Sequence, residues 1–217
     1  MVKSILDGRK TVTRRIIKPR PEPDAKMAYT YAAGRKSDWG KWKDLQAGQQ
    51  WTPPYHADDI LYVRETWRIQ AAHRFESDTR IEFRAGGPKT TIQFAGRCSD
   101  SHERIEYDDF VSKWWSNGKW HPSIFMPKEA ARIFLRVKSV RVERLQDITA
   151  DECPMEGVWP LAACTVGERD DYYRSKFAEL WDSTIKPSDL DTCSWAANPW
   201  VWVIKFERCE KPEEETL

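Results

Sequence analysis

A short apolar helical signal, Val2, Ile5 and Leu6, runs into Gly8. Glycine takes the left-handed conformation beyond a helix end most easily, and the β-branched alternation Thr11-Val12-Thr13 reads as the strand that leaves the turn. Arg9 and Lys10 occupy that turn, with Arg14 and Arg15 just beyond. Within the first twenty residues seven Lys or Arg (3, 9, 10, 14, 15, 18, 20) face one acid, Asp7, leaving +6 locally in a chain of net charge +1. Such a cluster either caps the helix end in solvent or holds a local anionic ligand; the chain-wide balance excludes polybasic coating of nucleic acid.

The 217 residues fit one domain with insertions, and 32% charged content predicts a soluble chain. Five cysteines (98, 153, 164, 193, 209) are odd in number, widely spaced and free of any C-x-x-C pair, which argues against a disulfide framework or zinc site and for a reducing cytoplasm. The opening lacks the apolar run of a signal peptide, and no stretch reaches the length of a membrane span. The expected protein is cytoplasmic, with no membrane partner, no metal and no cofactor.

Downstream, Pro19, Pro21 and Pro23 predict a rigid loop. Residues 24–58 scatter aromatics among glycines (Tyr29, Tyr31, Trp39, Trp42, Trp51, Tyr55), predicting a short strand at Tyr29 and Tyr31 and otherwise a loop packed by its own rings. Asp58 to Trp67 reads as a buried strand with Leu61, Val63, Glu65 and Trp67 on one face. A hairpin follows over 79–97 around Gly86-Gly87-Pro88, a helix over 107–116, and a strand from about Ala130 through Val142. Thr149-x-x-Glu152 matches a capping box, and Gly157 ends the short helix. Tyr173, Phe177, Leu180 and Trp181 recur at helical spacing, predicting a helix over about 168–183. A closing strand puts Trp200, Trp202, Ile204 and Phe206 on one face, before an acidic tail, 207–217, expected to fray. Strands and helices do not alternate as βαβ units, so the expected class is α+β on a mixed or barrel-like sheet.

Lys10, Thr13 and Glu65 are the candidate chemical groups. Like-charge repulsion from Arg9, Arg14 and Arg15 favours the neutral Lys10 amine, which can act as a base or activate a hydroxyl. A carboxylate can orient that amine, keep it protonated or move a proton. Strict strand geometry puts Lys10 and Thr13 on opposite faces, so they converge only if Lys10 belongs to the turn and the strand begins later. Glu65 on an apolar face needs a partner, and one of the arginines is the plain alternative. Arg64 and Trp67 are candidates to grip a phosphate and stack on a base, with a core role for Trp67 the simpler reading.

Gly8-x-Lys10-x-x-Thr13-x-Arg15 resembles the G-x-K-x-x-[E/T]-x-R signature of the ASCH domain, a relative of the PUA fold. Asp59 to Trp67 is similar to the strand motif that follows it there, and Pro122–Val142, Asp147–Thr149 and Asn198–Val203 resemble the phage and prophage branch. The resemblance implies a PUA-like (ASCH) mixed β-barrel with flanking helices over residues 1–206, with branch-specific insertions at about 21–55 and 68–118. It implies a cleft lined by the signature residues in a protein of a bacterial host cell. One ASCH branch removes the acetyl group of N4-acetylcytidine with a Lys, a Thr and a Glu; Lys10 and Thr13 match the first two, and Glu65 is the match for the third. Gly8, Arg9, Arg14, Arg15, Arg64 and Trp67 would then bind substrate. The expected partner is a modified nucleoside or RNA. The alternatives are a non-catalytic RNA-binding module, a metal-independent ribonuclease, or a phage structural or accessory protein.

Overall fold

The computed structural model describes residues 2–30, 41–94, 101–159 and 166–212. The fold is mixed α+β, with a curled antiparallel half-barrel sheet and several short helices. The chain divides into two compact units: Lys3–Asp59 with Arg136–Arg208, and Ile60–Leu135 with the chain from Cys209.

The first unit opens on helix α1 (Val2–Leu6). Gly8 follows at φ 73°, the conformation the turn requires, and strand β1 (Val12–Ile16) leaves it. β1 lies antiparallel to the closing strand β10 (Trp200–Cys209), Val12 opposite Lys205 and Ile16 opposite Val201, and β10 is flanked on its other side by β9 (Phe134–Arg144). β10 is apolar on both faces: Trp202, Ile204 and Phe206 are buried on one, and Val201 and Val203 are fully buried on the other. The valines join Val12, Leu145, Ile148, Tyr173, Phe177 and Trp181 in one core. The last three belong to α4 (Val166–Asp182), the amphipathic helix expected over about 168–183. Only half of the expected capping box is present: Thr149 Oγ1 accepts the Glu152 N–H at 3.3 Å ahead of α3 (Glu152–Met155), while the Glu152 carboxylate turns to Arg14 and Arg141 instead of back to Thr149, and Gly157 follows at φ 97°. α5 (Leu190–Cys193) precedes β10.

The region read as an aromatic loop is a small sheet instead. β2 (Met27–Thr30) pairs with β3 (Lys41–Asp44), which pairs with β4 (Gln50–Trp51), and Trp42 lies opposite Trp51. Strand register, where loop packing was expected, sets Trp42 and Trp51 opposite each other, and Trp51 donates its Nε1–H to the Pro19 carbonyl at 2.7 Å. Tyr31 and Trp39 lie outside the described residues.

The second unit carries β5 (Ile60–Tyr62), the first two residues of β9 (Phe134 and Leu135) and a three-stranded sheet of β6 (Trp67–His73), β7 (Asp78–Phe83) and β8 (Thr90–Gln93). The expected strand over 58–67 is therefore broken between Tyr62 and Trp67, although the burial of Glu65 and Trp67 keeps the predicted alternation. The hairpin over β7 and β8 turns through Gly86 and Gly87 at φ 79° and 87°. Helix α2 (Ser101–Trp114) contributes Phe110 and Trp114 to a core around Trp67, Ile69, Ile81, Phe83 and Phe134. The first three residues of the acidic tail, 207–209, belong to β10 instead of fraying as expected; residues 213–217 lie outside the described residues. Among the described residues no helix is long and apolar enough to cross a membrane.

Candidate functional site

The turn after Gly8 sets the site. Lys10 donates its backbone N–H to the Ser4 carbonyl at 2.9 Å, and Thr11 donates to the Met155 carbonyl at 2.9 Å, so the turn is pinned between α1 and α3. β1 begins only at Val12, which is the condition under which Lys10 and Thr13 converge. Both line a cavity of about 210 Å³ in the first unit, with Arg14, Arg15, Glu156 and Gly157. Phe177, Leu180, Trp181 and Thr184 form an apolar flank.

The Lys10 amine is buried and makes two hydrogen bonds to one residue: 2.7 Å to the Glu156 carboxylate and 2.8 Å to its carbonyl. Glu156 spends its other oxygen on Arg14 Nη1 at 3.2 Å. Arg14 Nη2 reaches Glu152 at 2.6 Å and Glu143 at 3.2 Å, and Arg141 bridges the same two acids. With Lys10 protonated, three cations face three carboxylates and the local charge of the network closes to zero. Burial lowers the Lys10 pKa from its ordinary value; the Glu156 carboxylate opposes that, while Arg15 and Arg14 add to it. Burial raises the Glu152 carboxyl, but Arg14 and Arg141 outweigh it and hold the group below the usual range.

Gly157 lets this happen at close range. A Cβ there would sit 3.3 Å from Ser4 Oγ and 3.7 Å from Lys10 Cδ, in a backbone conformation at φ 97° that side chains rarely adopt. Cys153, one helical residue from Glu152, is inert: burial pushes its thiol up to about 11. Cys193 and Cys209 are free thiols too, and Cys98 and Cys164 lie outside the described residues.

The remaining sequence candidates lie elsewhere. Glu65 is in the second unit and is not among the residues lining the cavity; Arg132 takes both its oxygens at 2.8 Å and also binds the Gly86 and Pro88 carbonyls. The arginine partner, the plainer of the two sequence readings, is what its burial requires. Trp67 is fully buried, with Trp114 and His121 rings 5.4 and 5.0 Å away, so no face remains for a ligand base. Arg64, exposed, binds Tyr62 Oη at 3.0 Å and the Ile124 carbonyl at 3.1 Å in the second unit. Gly8 serves the turn, and Arg9 pairs with Asp7 at 3.1 Å while lying 4.7 Å over the Trp159 ring.

Glu156 is the carboxylate that sequence reasoning missed. A signal existed: Glu152 opens a short helix and Glu156 caps its end four residues later, immediately before a glycine. Among the described residues no group of three His, Cys, Asp or Glu is arranged to hold a metal ion. Compared with known proteins, the chain matches no family model, no curated sequence and no solved structure.

Proposed function

We propose that the cavity binds a nucleobase or nucleoside and hydrolyses an N-acyl group on a cytosine-type ring, in an ASCH-type, PUA-like domain. One observation carries this reading: a buried lysine whose pKa is lowered, held by two acceptors of one glutamate on the wall of a cavity it shares with a threonine. A neutral amine has two N–H donors and one lone pair. In that form the two acceptors on Glu156 match the donors, and the lone pair is left to accept a proton. The cavity, about 210 Å³, is smaller than the roughly 300–1,000 Å³ of drug-sized sites and suits a single flat ring lying against Phe177, Leu180 and Trp181.

In the reaction Lys10 takes a proton from water, or from the Thr13 hydroxyl, as its oxygen adds to the acyl carbon. The resulting oxyanion collapses, the C–N bond breaks, and the Lys10 ammonium returns the proton to the departing exocyclic nitrogen. Water supplies the oxygen of the released carboxylate, directly or in a second step that frees Thr13. Glu156 steadies the ammonium in between. The carboxylate of the triad is therefore assigned to Glu156 in place of Glu65.

The phosphate-binding alternatives, RNA capture or cleavage by the basic opening, draw less support. Lys10 and Arg14 are spent on carboxylates, which leaves Arg15 as the exposed cation of the cavity wall. The test is release of cytidine and acetate from N4-acetylcytidine, followed by mass spectrometry. Lys10→Ala should slow it about 10²–10⁴-fold, the span of general-base contributions. Absence of hydrolysis across a panel of acylated nucleosides overturns the proposal.

A further inference from the structure

Val111–Lys128 passes through eighteen residues without Asp or Glu, where the chain's 34 acids spread evenly over 217 residues would place about three. The stretch holds Lys113, Lys119 and Lys128 together with Trp114, Trp115, Trp120 and Phe125. Its exposed side chains are the wrong ones for an idle surface: Ile124 is 67% exposed, Phe125 53% and Trp115 44%.

Hydrogen bonds and ring contacts tie this stretch to the core of the second unit. Trp67 and His121 exchange backbone hydrogen bonds of 3.1 and 2.7 Å, and His121 Nε2 lies 2.7 Å from the Trp114 carbonyl. The Trp114 ring stands 5.4 Å from buried Trp67 on one side and 6.0 Å from Phe125 on the other. Cations flank the rings: Lys113 Nζ is 5.1 Å from the Trp114 ring, Arg64 is tied to the Ile124 carbonyl, and Lys119 is exposed on the turn after α2. The acids Asp109 and Glu129 lie just outside the stretch at either end.

We propose that this face of the second unit binds an unpaired stretch of nucleic acid, with bases stacking on Phe125 and Trp115 and phosphates meeting Lys113, Lys119 and Arg64. An apolar protein partner accounts for the rings but not for the missing acids, and a bare phosphate accounts for the cations but not for the rings. An unpaired polynucleotide supplies both at each repeat, and a pre-ordered platform loses little entropy on binding it. The site consists of second-unit residues alone and does not rest on the proposed hydrolysis.

The test is fluorescence anisotropy of the full chain with a labelled oligouridylate and an oligothymidylate of about twelve nucleotides, and with a duplex of equal length. Both single strands should bind, with affinity falling steeply between about 50 and 200 mM salt, and the duplex at least about tenfold more weakly. A preference for one single strand assigns the sugar that is read; equal binding assigns a site that reads only rings and phosphates. Phe125→Ala and Trp115→Ala should each weaken binding about tenfold, Lys119→Glu should flatten the salt dependence, and thermal unfolding should show all three folded. Phe125→Ala should still hydrolyse a free acylated nucleoside at the wild-type rate, and should the wild type show no hydrolysis, the binding result stands by itself. Equal duplex binding, indifference to all three substitutions, or a dimer that Phe125→Asp converts to monomer with no oligonucleotide bound would each overturn the proposal.

Discussion

Glu156 holds two cations with one side chain, and this asymmetry ranks the substitutions around it. Glu156→Gln strands Lys10 and weakens the hold on Arg14, so it should cost about 3–5 kcal/mol, the range for breaking a buried pair. Lys10→Met should cost less, because Glu156 keeps Arg14; urea unfolding at neutral pH measures both. The pH dependence follows from the same geometry. The unfolded chain holds the Lys10 proton more tightly than the folded one, so this residue's contribution to stability rises with pH between the lowered folded value and 10.5. Because Lys10 must lose its proton to act as the base, kcat/KM for acyl hydrolysis should rise with pH along a limb whose midpoint lies below 10.5, and a midpoint at or above it counts against Lys10 as the base. Glu152 behaves oppositely. Its lowered pKa gives stability that is present above about 4.5 and lost as pH falls through the folded value, so Glu152→Gln should destabilise at neutral pH and much less in acid. Lys10 and Thr13 were legible because a glycine and a β-branched run bracket them within six residues. Glu156 was not, since it meets Lys10 across 146 positions, and spacing within a sequence carries no record of such a contact.

At the scale of elements, α4 does two jobs: its Phe177 packs in the first core and also walls the cavity, with the Arg14 guanidinium 5.9 Å from the ring. Phe177→Ala should therefore cost about 3–5 kcal/mol and at the same time widen the cavity, so that KM for a nucleoside changes together with the unfolding midpoint. The helix was readable from its 3.6-residue spacing. The strand at 58–67 was readable only as a pattern of burial, because Glu65 must turn to Arg132 and the ladder breaks to let it. In 24–58 the aromatic content concealed period-two pairing: β4 is two residues long, too short for alternation to register. The opposite difficulty hid the second face of β10, where valines alternate with larger rings and both sets are apolar.

Taken as a whole molecule, the described residues form two hydrophobic clusters that share no residue, one around Val201, Val203 and Phe177 and one around Trp67, Ile81 and Phe83. Loss of one should be felt first where it occurs. Trp67→Ala, which empties the largest fully buried side chain, should speed amide exchange across 60–135 well before it does so across 136–208, as read by hydrogen–deuterium exchange mass spectrometry. Uniform acceleration along the chain would show that the cores unfold as one.

The chain departs from the first unit after Asp59 and re-enters at Arg136, and the two ends of that gap are already bonded: Asp58 N–H to the Val137 carbonyl at 2.8 Å, Val137 N–H to the Asp59 carbonyl at 2.9 Å. A detour whose gateposts touch can lengthen, shorten or be exchanged at little entropic expense to the frame it leaves. Among the described residues the walls around Lys10 come entirely from outside the detour, so that segment can be exchanged without removing a wall of the cavity.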